Sequence, residues 1–242
     1  MVNNAVDIIN LTKKYKDMVA VDNINVEIKR GELYALLGVN GAGKTTTIKM
    51  LSCISKPTSG TAIIEGKDIV ENAEYVKKII NVSPQESAVA GNLTVEENII
   101  FTAEMYGYSK NMAKEKSEML MNELGLFDVR SKKAKNLSGG YKRRLSIALA
   151  MVNDPKIIFL DEPTLGLDVL ARRELWKIIE GLKLRSTIIL TTHYMEEAEK
   201  LADKIAVMKQ GKIIATGSVK ELLLMTETDN LEDAFIKIVE EI

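Results

Sequence analysis

The chain has 242 residues, 46% hydrophobic and 28% charged, which is typical of a globular protein and excludes a disordered or fibrous one. Its 33 basic and 34 acidic residues give a formal net charge of -1, so we predict no nucleic-acid partner. The single cysteine, Cys53, excludes an internal disulfide, the first residues lack a secretory signal, and no apolar run approaches the ~20 residues that cross a bilayer. We therefore predict a cytoplasmic protein that owes any membrane role to a partner.

The N-terminal part of the chain is predicted to be β-sheet. Apolar residues alternate with polar ones at Ile24, Val26 and Ile28, as in a half-buried strand, and RGELYALLG (residues 30–38) follows as a more apolar strand. A glycine-rich turn then leads into a predicted helix. The inward-facing residues of that helix are predicted to be Ile48, Leu51 and Ile54.

A helical region is predicted in the middle of the chain. Thr94 followed three residues later by Glu97 is the pattern of a capping box, which opens a helix with Val95 and Ile99 facing inward. The pattern stays mostly helical to about residue 153. We therefore predict a block of helices after the first strands.

Strands return in the C-terminal half. KIIFLDEP (156–163) and TIILTTH (187–193) are predicted strands, and ARRELWKIIEGL (171–182) between them has a helical pattern. Strands that alternate with helices are typical of parallel α/β folds. The helical block is thus predicted to be inserted into an α/β core.

The last part of the core is predicted to be a β-hairpin. KIAVMKQGKIIATG (204–217) has two short strands that turn at Gln210–Gly211. From Glu221 onward the chain is predicted to form a short, charged helical tail.

A phosphate-binding motif lies between a predicted strand and a predicted helix. GVNGAGKTT (38–46) fits G-x-x-x-x-G-K-[ST], in which backbone N–H groups and the helix N-terminus bind phosphate oxygens. Lys44 is predicted to reach the β- and γ-phosphates, and the Thr45 hydroxyl to bind Mg²⁺. The alternative, a glycine-rich turn with an incidental lysine, is disfavoured because motif, spacing and context agree. The predicted nucleotide-binding residues here are Gly38, Asn40, Gly41, Ala42, Gly43, Lys44, Thr45 and Thr46.

Two acidic residues and the only histidine follow predicted strands. Asp161 and Glu162 emerge at the carboxyl end of their strand, where open α/β sheets bind ligands. We predict that Asp161 holds Mg²⁺ through water and that Glu162 polarises an attacking water. The alternative is an acidic pair that only begins a helix. His193 follows the neighbouring strand and is predicted to contact the γ-phosphate, although a lone histidine is more often a core or surface residue.

Two adjacent glycines lead into a basic, helix-like segment in LSGGYKRR (137–144). Glycine is a poor helix former. Two glycines at this place indicate that the backbone itself must be accessible. Ser138, Gly139 and Gly140 lie at the N-terminus of a helix predicted to begin near Tyr141, where N–H groups and the helix dipole favour an anion. The alternative is a glycine-containing loop that caps a core helix.

The motifs GVNGAGKTT, LSGGY, FLDEP, LGLD and TTH, with Gln85 in VSPQES, occur in an order that resembles the nucleotide-binding subunit of ABC transporters. The resemblance covers nearly the whole chain, and LSGG before LDEP is its most specific part. It implies an α/β fold: a P-loop NTPase (RecA-like) core with an N-terminal antiparallel β subdomain and an inserted α-helical subdomain. The predicted single domain, 1–242, then divides into a core of 1–85 and 154–220, an insert of 86–153 and a tail of 221–242.

The same resemblance implies further roles. Tyr15 matches the residue that stacks on adenine, Gln85 the residue that contacts Mg²⁺ and begins the segment facing the membrane subunit, and Asp168 the acidic residue that crosses between protomers. Ser138–Gly140 matches the signature that binds the γ-phosphate of an ATP held by the other protomer. Tyr141 stands where the family usually has glutamine, so the hydrogen bonding there is not implied. The residues predicted to act in catalysis are Glu162, His193, Lys44 and Gln85.

The implied function is that of an ATP-binding and ATP-hydrolysing subunit that uses Mg²⁺ and closes head to tail around two ATP. It would form a homodimer, or pair with a second nucleotide-binding subunit, on the inner face of the membrane beside an integral-membrane permease. PTLGLD, NLTVEENIIFTAEMYGYSK and NLEDAFIKI resemble exporters of drugs, lipids, polysaccharide or sodium.

Three other functions are possible for a chain with these motifs. A soluble, non-transport ABC ATPase acting on ribosomes or DNA usually has two nucleotide domains or a long coiled-coil insertion. A P-loop GTPase or small kinase needs the guanine-reading sequence N-K-x-D, which this sequence lacks, or a lid in place of LSGG. A regulator that binds ATP without hydrolysing it is disfavoured by the presence of Lys44, Glu162 and His193.

Overall fold

Two β-sheets organise the chain in the computed structural model, which describes residues 4–241. The strands are β1 Asn4–Tyr15, β2 Met18–Lys29, β3 Leu33–Leu37, β4 Ser59–Ile64, β5 Lys67–Asp68, β6 Ile80–Ser83, β7 Ile157–Asp161, β8 Thr187–Thr192, β9 Lys204–Lys209 and β10 Lys212–Gly217. The helices are α1 Lys44–Leu51, α2 Ala73–Ile79, α3 Val95–Met105, α4 Lys110–Glu123, α5 Gly139–Met151, α6 Val169–Leu182, α7 Met195–Leu201, α8 Val219–Thr226 and α9 Leu231–Glu241.

The two sheets differ in topology. The smaller sheet is antiparallel with the order β2-β1-β4-β5, as predicted for the N-terminal region. The larger has the order β10-β9-β3-β8-β7-β6, in which β9 to β6 run parallel and β10 is antiparallel to β9. The parallel strands place the carboxyl ends of β3, β7 and β8 at one edge, where ligands bind in open α/β sheets.

Both faces of the larger sheet are buried, which explains why its strands are continuous apolar runs rather than alternating ones. In β3, Leu33 and Leu37 face a core shared with helices of the insert and of the C-terminus. Tyr34 and Leu36 face the opposite core, which contains α1 and the smaller sheet. The larger sheet is therefore the middle layer of the fold.

Helix α1 is shorter than predicted. It begins at Lys44 and ends at Leu51, and Cys53 just beyond it has a positive φ of 57°. Ile48 and Leu51 are buried, as predicted, but Ile54 lies outside the helix and is 68% exposed. The prediction that Ile54 faces inward is therefore wrong: the helical periodicity does not continue through a left-handed residue.

The helical insert begins with the predicted capping box. The Glu97 N–H donates to Thr94 Oγ1 (3.1 Å), and the Thr94 N–H donates to Glu97 Oε2 (2.7 Å). Val95 and Ile99 are fully buried. Helix α5 begins at Gly139, two residues earlier than predicted, with Ser138 at the N-cap position.

The C-terminal elements also pack on the core. The predicted hairpin is confirmed as β9–β10. The predicted tail begins inside a helix, because α8 starts at Val219 behind a capping box of Ser218 and Glu221. Leu222 of α8 and Phe235 of α9 are buried in the core of the insert-side layer. Among residues 4–241, no helix combines the length and apolar character needed to span a membrane. The subdomain boundaries stay predictions.

Candidate nucleotide site

The glycine-rich loop between β3 and α1 wraps around the Lys44 ammonium. Lys44 Nζ donates to the carbonyl oxygens of Gly38 (2.6 Å) and Val39 (3.2 Å), and its side chain is buried. Gly43 has φ of 108°, and a Cβ there would lie 2.6 Å from the Ala20 carbonyl oxygen. The close approach of the loop to β2 therefore requires glycine at this position.

A cavity of about 660 Å³ opens over this loop, within the size range of ligand sites. The predicted site residues that line it are Asn40, Gly41, Ala42, Gly43, Lys44, Thr45, Thr46, Gln85, Glu162 and His193. It is also lined by residues that the motifs do not identify: Met18, Val19, Ala20, Leu165 and Gln210. Met18 is 62% exposed, so the cavity has an apolar rim on the side of β2.

Asp161 lies at the end of β7, beside the loop. Its Oδ1 accepts hydrogen bonds from Thr45 Oγ1 (3.1 Å) and from Thr191 Oγ1 (2.5 Å). The carboxylate and the Thr45 hydroxyl are thus adjacent hard oxygen donors, the type of ligand that Mg²⁺ prefers. The residues predicted to hold Mg²⁺ fit that ion chemically. Thr191 was not predicted, and its position in TIILTTH, two residues before His193, is the sequence signal for it.

Glu162 is the centre of the polar site. Its Oε1 lies 3.2 Å from Lys44 Nζ, and its Oε2 lies 2.7 Å from His193 Nδ1. The side chain is buried, so both contacts operate in a region of low effective dielectric. Three of the four residues predicted for catalysis, Lys44, Glu162 and His193, therefore meet at the Glu162 carboxylate.

The backbone of Glu162 is held in a strained conformation. Its φ is 48°, in the left-handed region, where a residue other than glycine costs about 1–3 kcal/mol. The Glu162 N–H donates to the Thr191 carbonyl (3.1 Å) and to Thr191 Oγ1 (3.0 Å). Bonds of this kind to the neighbouring strand β8 keep the carboxylate directed toward the loop.

A second acidic residue, Glu197 of α7, is buried behind the site. Trp176 Nε1 donates to its Oε1 (3.2 Å), and burial raises the pKa of the Glu197 carboxyl. No motif quoted in the sequence analysis contains it; its signal is a glutamate on the apolar face of the helix that follows His193. Its contact with Trp176 ties α7 to α6.

Seven predicted site residues do not line the cavity: Tyr15, Gly38, Ser138, Gly139, Gly140, Asp161 and Asp168. Four of them, Ser138–Gly140 and Asp168, lie at the N-terminal ends of helices α5 and α6. Ser138 and Gly139 are exposed, and a Cβ added to Gly140 would lie 3.2 Å from the Ala171 Cβ of α6. Asp168 N-caps α6, because its Oδ1 accepts from the Ala171 N–H (2.9 Å). The signature residues and Asp168 are therefore close to the same helix end, but they are not brought into the cavity.

Tyr15 lies at the end of β1, at the edge of the cavity. It pairs with Met18, which lines the cavity, and its ring is 42% exposed. Lys13 Nζ lies 5.0 Å from the ring centroid, within cation–π distance. The ring is accessible to a ligand, and its adenine-stacking role stays a prediction.

Residues 21–165 match the family model described as ABC transporter. The chain belongs to the ABC transporter family. It is 39% identical over 235 residues to the probable multidrug ABC transporter ATP-binding protein YbhF of Escherichia coli, covering 95% of this chain and 40% of the relative. It is 41% identical over 219 residues to the daunorubicin/doxorubicin resistance ATP-binding protein DrrA of Streptomyces peucetius, covering 90% of this chain and 66% of the relative. The chain thus spans about two fifths of YbhF and two thirds of DrrA.

Solved structures support the same assignment. A structure described as the ATP binding subunit of an ABC transporter superposes with a TM-score of 0.85 at 26% identity, covering 97% of this chain and 99% of that chain. The ATP-binding cassette MJ0796, in a dimeric post-hydrolysis state bound to ADP and Pi, gives a TM-score of 0.79 at 27% identity, covering 88% and 98%. The predicted family, fold class and ATPase class are confirmed. This ABC chain is an ATP-binding cassette.

Proposed function

We propose that this cassette hydrolyses ATP at the site around Glu162 and thereby drives export through a separate permease, on the inner face of the cell membrane. One observation carries the hydrolytic part: the buried Glu162 carboxylate contacts both Lys44 and His193 at the mouth of the phosphate loop. A carboxylate between a phosphate-binding cation and an imidazole is positioned to orient water beside a bound γ-phosphate.

In this mechanism, the loop residues bind the phosphates through backbone N–H groups, and Lys44 neutralises charge on the β- and γ-phosphates. Glu162 then accepts a hydrogen bond from the attacking water, so that the water oxygen faces the phosphorus. His193 contacts the other carboxylate oxygen and fixes its direction. In this proposal His193 also contacts the γ-phosphate. Most of the rate enhancement in phosphoryl transfer comes from such alignment and from charge stabilisation.

Mg²⁺ would be held by Thr45, Gln85 and Asp161. Thr45 and Gln85 line the cavity, and the Asp161 carboxylate accepts a hydrogen bond from Thr45. When bound, the ion would act as a Lewis acid and stabilise negative charge that develops in the reaction.

Lys44→Ala is expected to weaken ATP binding by on the order of 10²-fold and to abolish hydrolysis, because the phosphates lose their charged partner. Lys49→Ala, which removes an exposed lysine from the same helix, is the matched control and should leave both unchanged. Fluorescent-nucleotide titration and phosphate release measure the two effects. Wild-type affinity in Lys44→Ala would contradict the phosphate-cradle assignment.

We further propose that two cassettes close head to tail around two ATP, with Ser138, Gly139 and Gly140 of one contacting the γ-phosphate held by the other. The support is local: Ser138 and Gly139 are exposed at the N-terminus of α5, where free N–H groups favour an anion. Among residues 4–241 and outside its own helix, a Cβ on Gly139 would meet only Leu167 Cδ2, at an ordinary 3.6 Å. The chain itself does not need glycine there, which is consistent with close approach by another molecule.

The proposed permease contact is the segment from Ser83 to Met105, which contains Gln85. It presents exposed apolar side chains, among them Phe101 (54%) and Met105 (72%), on the outer surface of α3. Relatives named for multidrug transport and drug resistance support export as the direction. A soluble ABC ATPase acting on ribosomes or DNA is the alternative.

Detergent extraction of membranes from cells that express the tagged chain tests the permease. We expect an integral-membrane protein to co-purify with the wild-type chain, and to be lost with the Phe101→Ser, Met105→Ser double variant. Leu184→Ser changes an exposed residue outside the segment and serves as control. Recovery of no membrane protein under any nucleotide condition would favour the soluble alternative.

A further inference from the structure

Arg143 occupies an unusual position on α5, one turn after the signature glycines. Its side chain is buried, and its guanidinium group directs all five N–H donors at backbone carbonyl oxygens. The distances are 2.6 Å from Nε to Pro163, 3.1 Å from Nη1 to Gln85 and 2.6 Å from Nη2 to Asp161. The remaining two acceptors are the carbonyls of Pro84 and Glu162.

These five carbonyls belong to the two segments that present the site's polar side chains. One segment, 84–85, follows β6 and ends at Gln85, which lines the cavity. The other, 161–163, begins at Asp161, the last residue of β7, and contains the strained Glu162. One side chain from the helical insert thus ties together two loops of the core, next to the nucleotide cavity.

The Glu162 backbone is held from two opposite directions. Thr191 of β8 accepts its N–H, and Arg143 donates to its carbonyl and to the carbonyls on either side. From α5, Arg143 contacts the peptide groups around the left-handed residue, and the Glu162 carbonyl also accepts from the Leu165 N–H (3.2 Å). Because the Glu162 Cα lies between two of these peptide groups, a backbone rotation there would displace its carboxylate.

A buried guanidinium also needs compensation for its charge. Burial lowers the pKa of Arg143, and the charges of Asp161, Glu197 and Glu162 act in the opposite direction. Carbonyl dipoles and this acidic surrounding keep the cation in place. A lysine offers three donors from one point instead of a planar set of five, so it cannot make the same contacts.

We propose that Arg143 is a positioning residue for ATP hydrolysis, which holds the backbone at Glu162 and Gln85 so that their side chains face the nucleotide. This inference rests on the proposed function, because it assigns Arg143 a role in the same reaction. Arg143 acts through Glu162 and does not itself contact the Lys44 end of the cavity.

Kinetics of Arg143→Met test the proposal. We expect kcat to fall by on the order of 10²-fold, as for a displaced catalytic group, while the ATP dissociation constant stays within about threefold. In the Glu162→Gln background the same change should lower kcat by less than about threefold, because both variants disable one unit. If the kcat of the double variant falls by the product of the two single-variant reductions, the two residues act independently and the assignment is overturned.

The matched control is Arg185→Met. Arg185 also joins the insert to the core, through Glu123 (2.8 Å) and Asp154 (2.6 Å), but at the opposite end of β7 from the site. If Arg143 served only general stability, kcat would fall by a similar factor in Arg143→Met and in Arg185→Met. We expect kcat to fall in Arg143→Met alone. Arg143→Lys, which retains the charge, should show a smaller fall in kcat at unchanged ATP affinity if Arg143→Met does not fold.

A spectroscopic measurement separates this proposal from the proposed function. His193 is the only histidine and bonds the Glu162 carboxylate, so its ring NMR resonance reports the position of that carboxylate. We expect the resonance to move in Glu162→Gln, in Arg143→Met and in Arg143→Lys, but not in Arg185→Met. An unmoved resonance in the folded Arg143 variants would overturn the proposal. If the wild-type protein does not hydrolyse ATP, the proposed function fails, and a moved resonance then supports only the contact of Arg143 with the Glu162 backbone and not a role in hydrolysis.

Discussion

Glu162→Gln is expected to lower ATP turnover by on the order of 10²-fold or more and to trap an ATP-bound dimer. Glutamine keeps the volume and one oxygen of the side chain, so ATP binding at the Lys44 loop persists. The amide cannot accept a proton or orient water as the carboxylate does, so the nucleotide that bridges two cassettes remains intact. Phosphate release measures the turnover. Light scattering after size exclusion, with and without Mg-free ATP, measures the dimer.

Glu180→Gln is the matched control, since it changes a partly exposed glutamate on α6 that pairs only loosely with Lys200 (3.9 Å). It should hydrolyse ATP at the wild-type rate and remain monomeric after turnover. An unchanged rate in Glu162→Gln would remove Glu162 from its proposed role. A slow variant that stays monomeric with ATP would mean that closure needs the permease or a different second subunit, and the ATPase assignment would stand.

The residues of the cavity are largely predictable from sequence because each motif lies at the end of a strand. The loop 38–46, Glu162 and His193 follow β3, β7 and β8, and adjacent parallel strands bring their carboxyl ends to one edge. Local chemistry and simple topology are then sufficient. The capping box at Thr94 is predictable for the same reason, since both partners lie within three residues.

Features that depend on tertiary contacts were not predictable. Ile54 fits a helical pattern, yet α1 ends at Leu51 and the chain turns at Cys53, which has a left-handed conformation. The two arginines of the basic segment look equivalent, but Arg143 contacts five carbonyls whereas Arg144 pairs with Glu174 on α6. Only the packing of α5 against the loops after β6 and β7 distinguishes the two side chains.

Gly140→Asp, made in the Glu162→Gln protein, is expected to prevent ATP-induced dimerisation while leaving ATP binding to the monomer unchanged. The monomer's cavity does not include Gly140, so its own nucleotide is unaffected. In the proposed dimer the new carboxylate would face the γ-phosphate of the partner's ATP. Two like charges about 4 Å apart repel by about 4 kcal/mol at an effective dielectric constant of 20, which corresponds to about 10³-fold weaker closure per site.

Gly140→Ala separates charge from size in this experiment. A Cβ at residue 140 would lie 3.2 Å from the Ala171 Cβ, so both variants must shift α5 and α6 apart by a few tenths of an ångström. If charge at the partner's phosphate is what prevents closure, Gly140→Ala should still dimerise with ATP, and Gly140→Asp should not. Dimerisation of Gly140→Asp would contradict the proposed role of Ser138–Gly140. Loss of dimers in both variants would show that the glycine is needed for packing between α5 and α6, and the exposed N-terminus of α5 would lose its main support as a phosphate site.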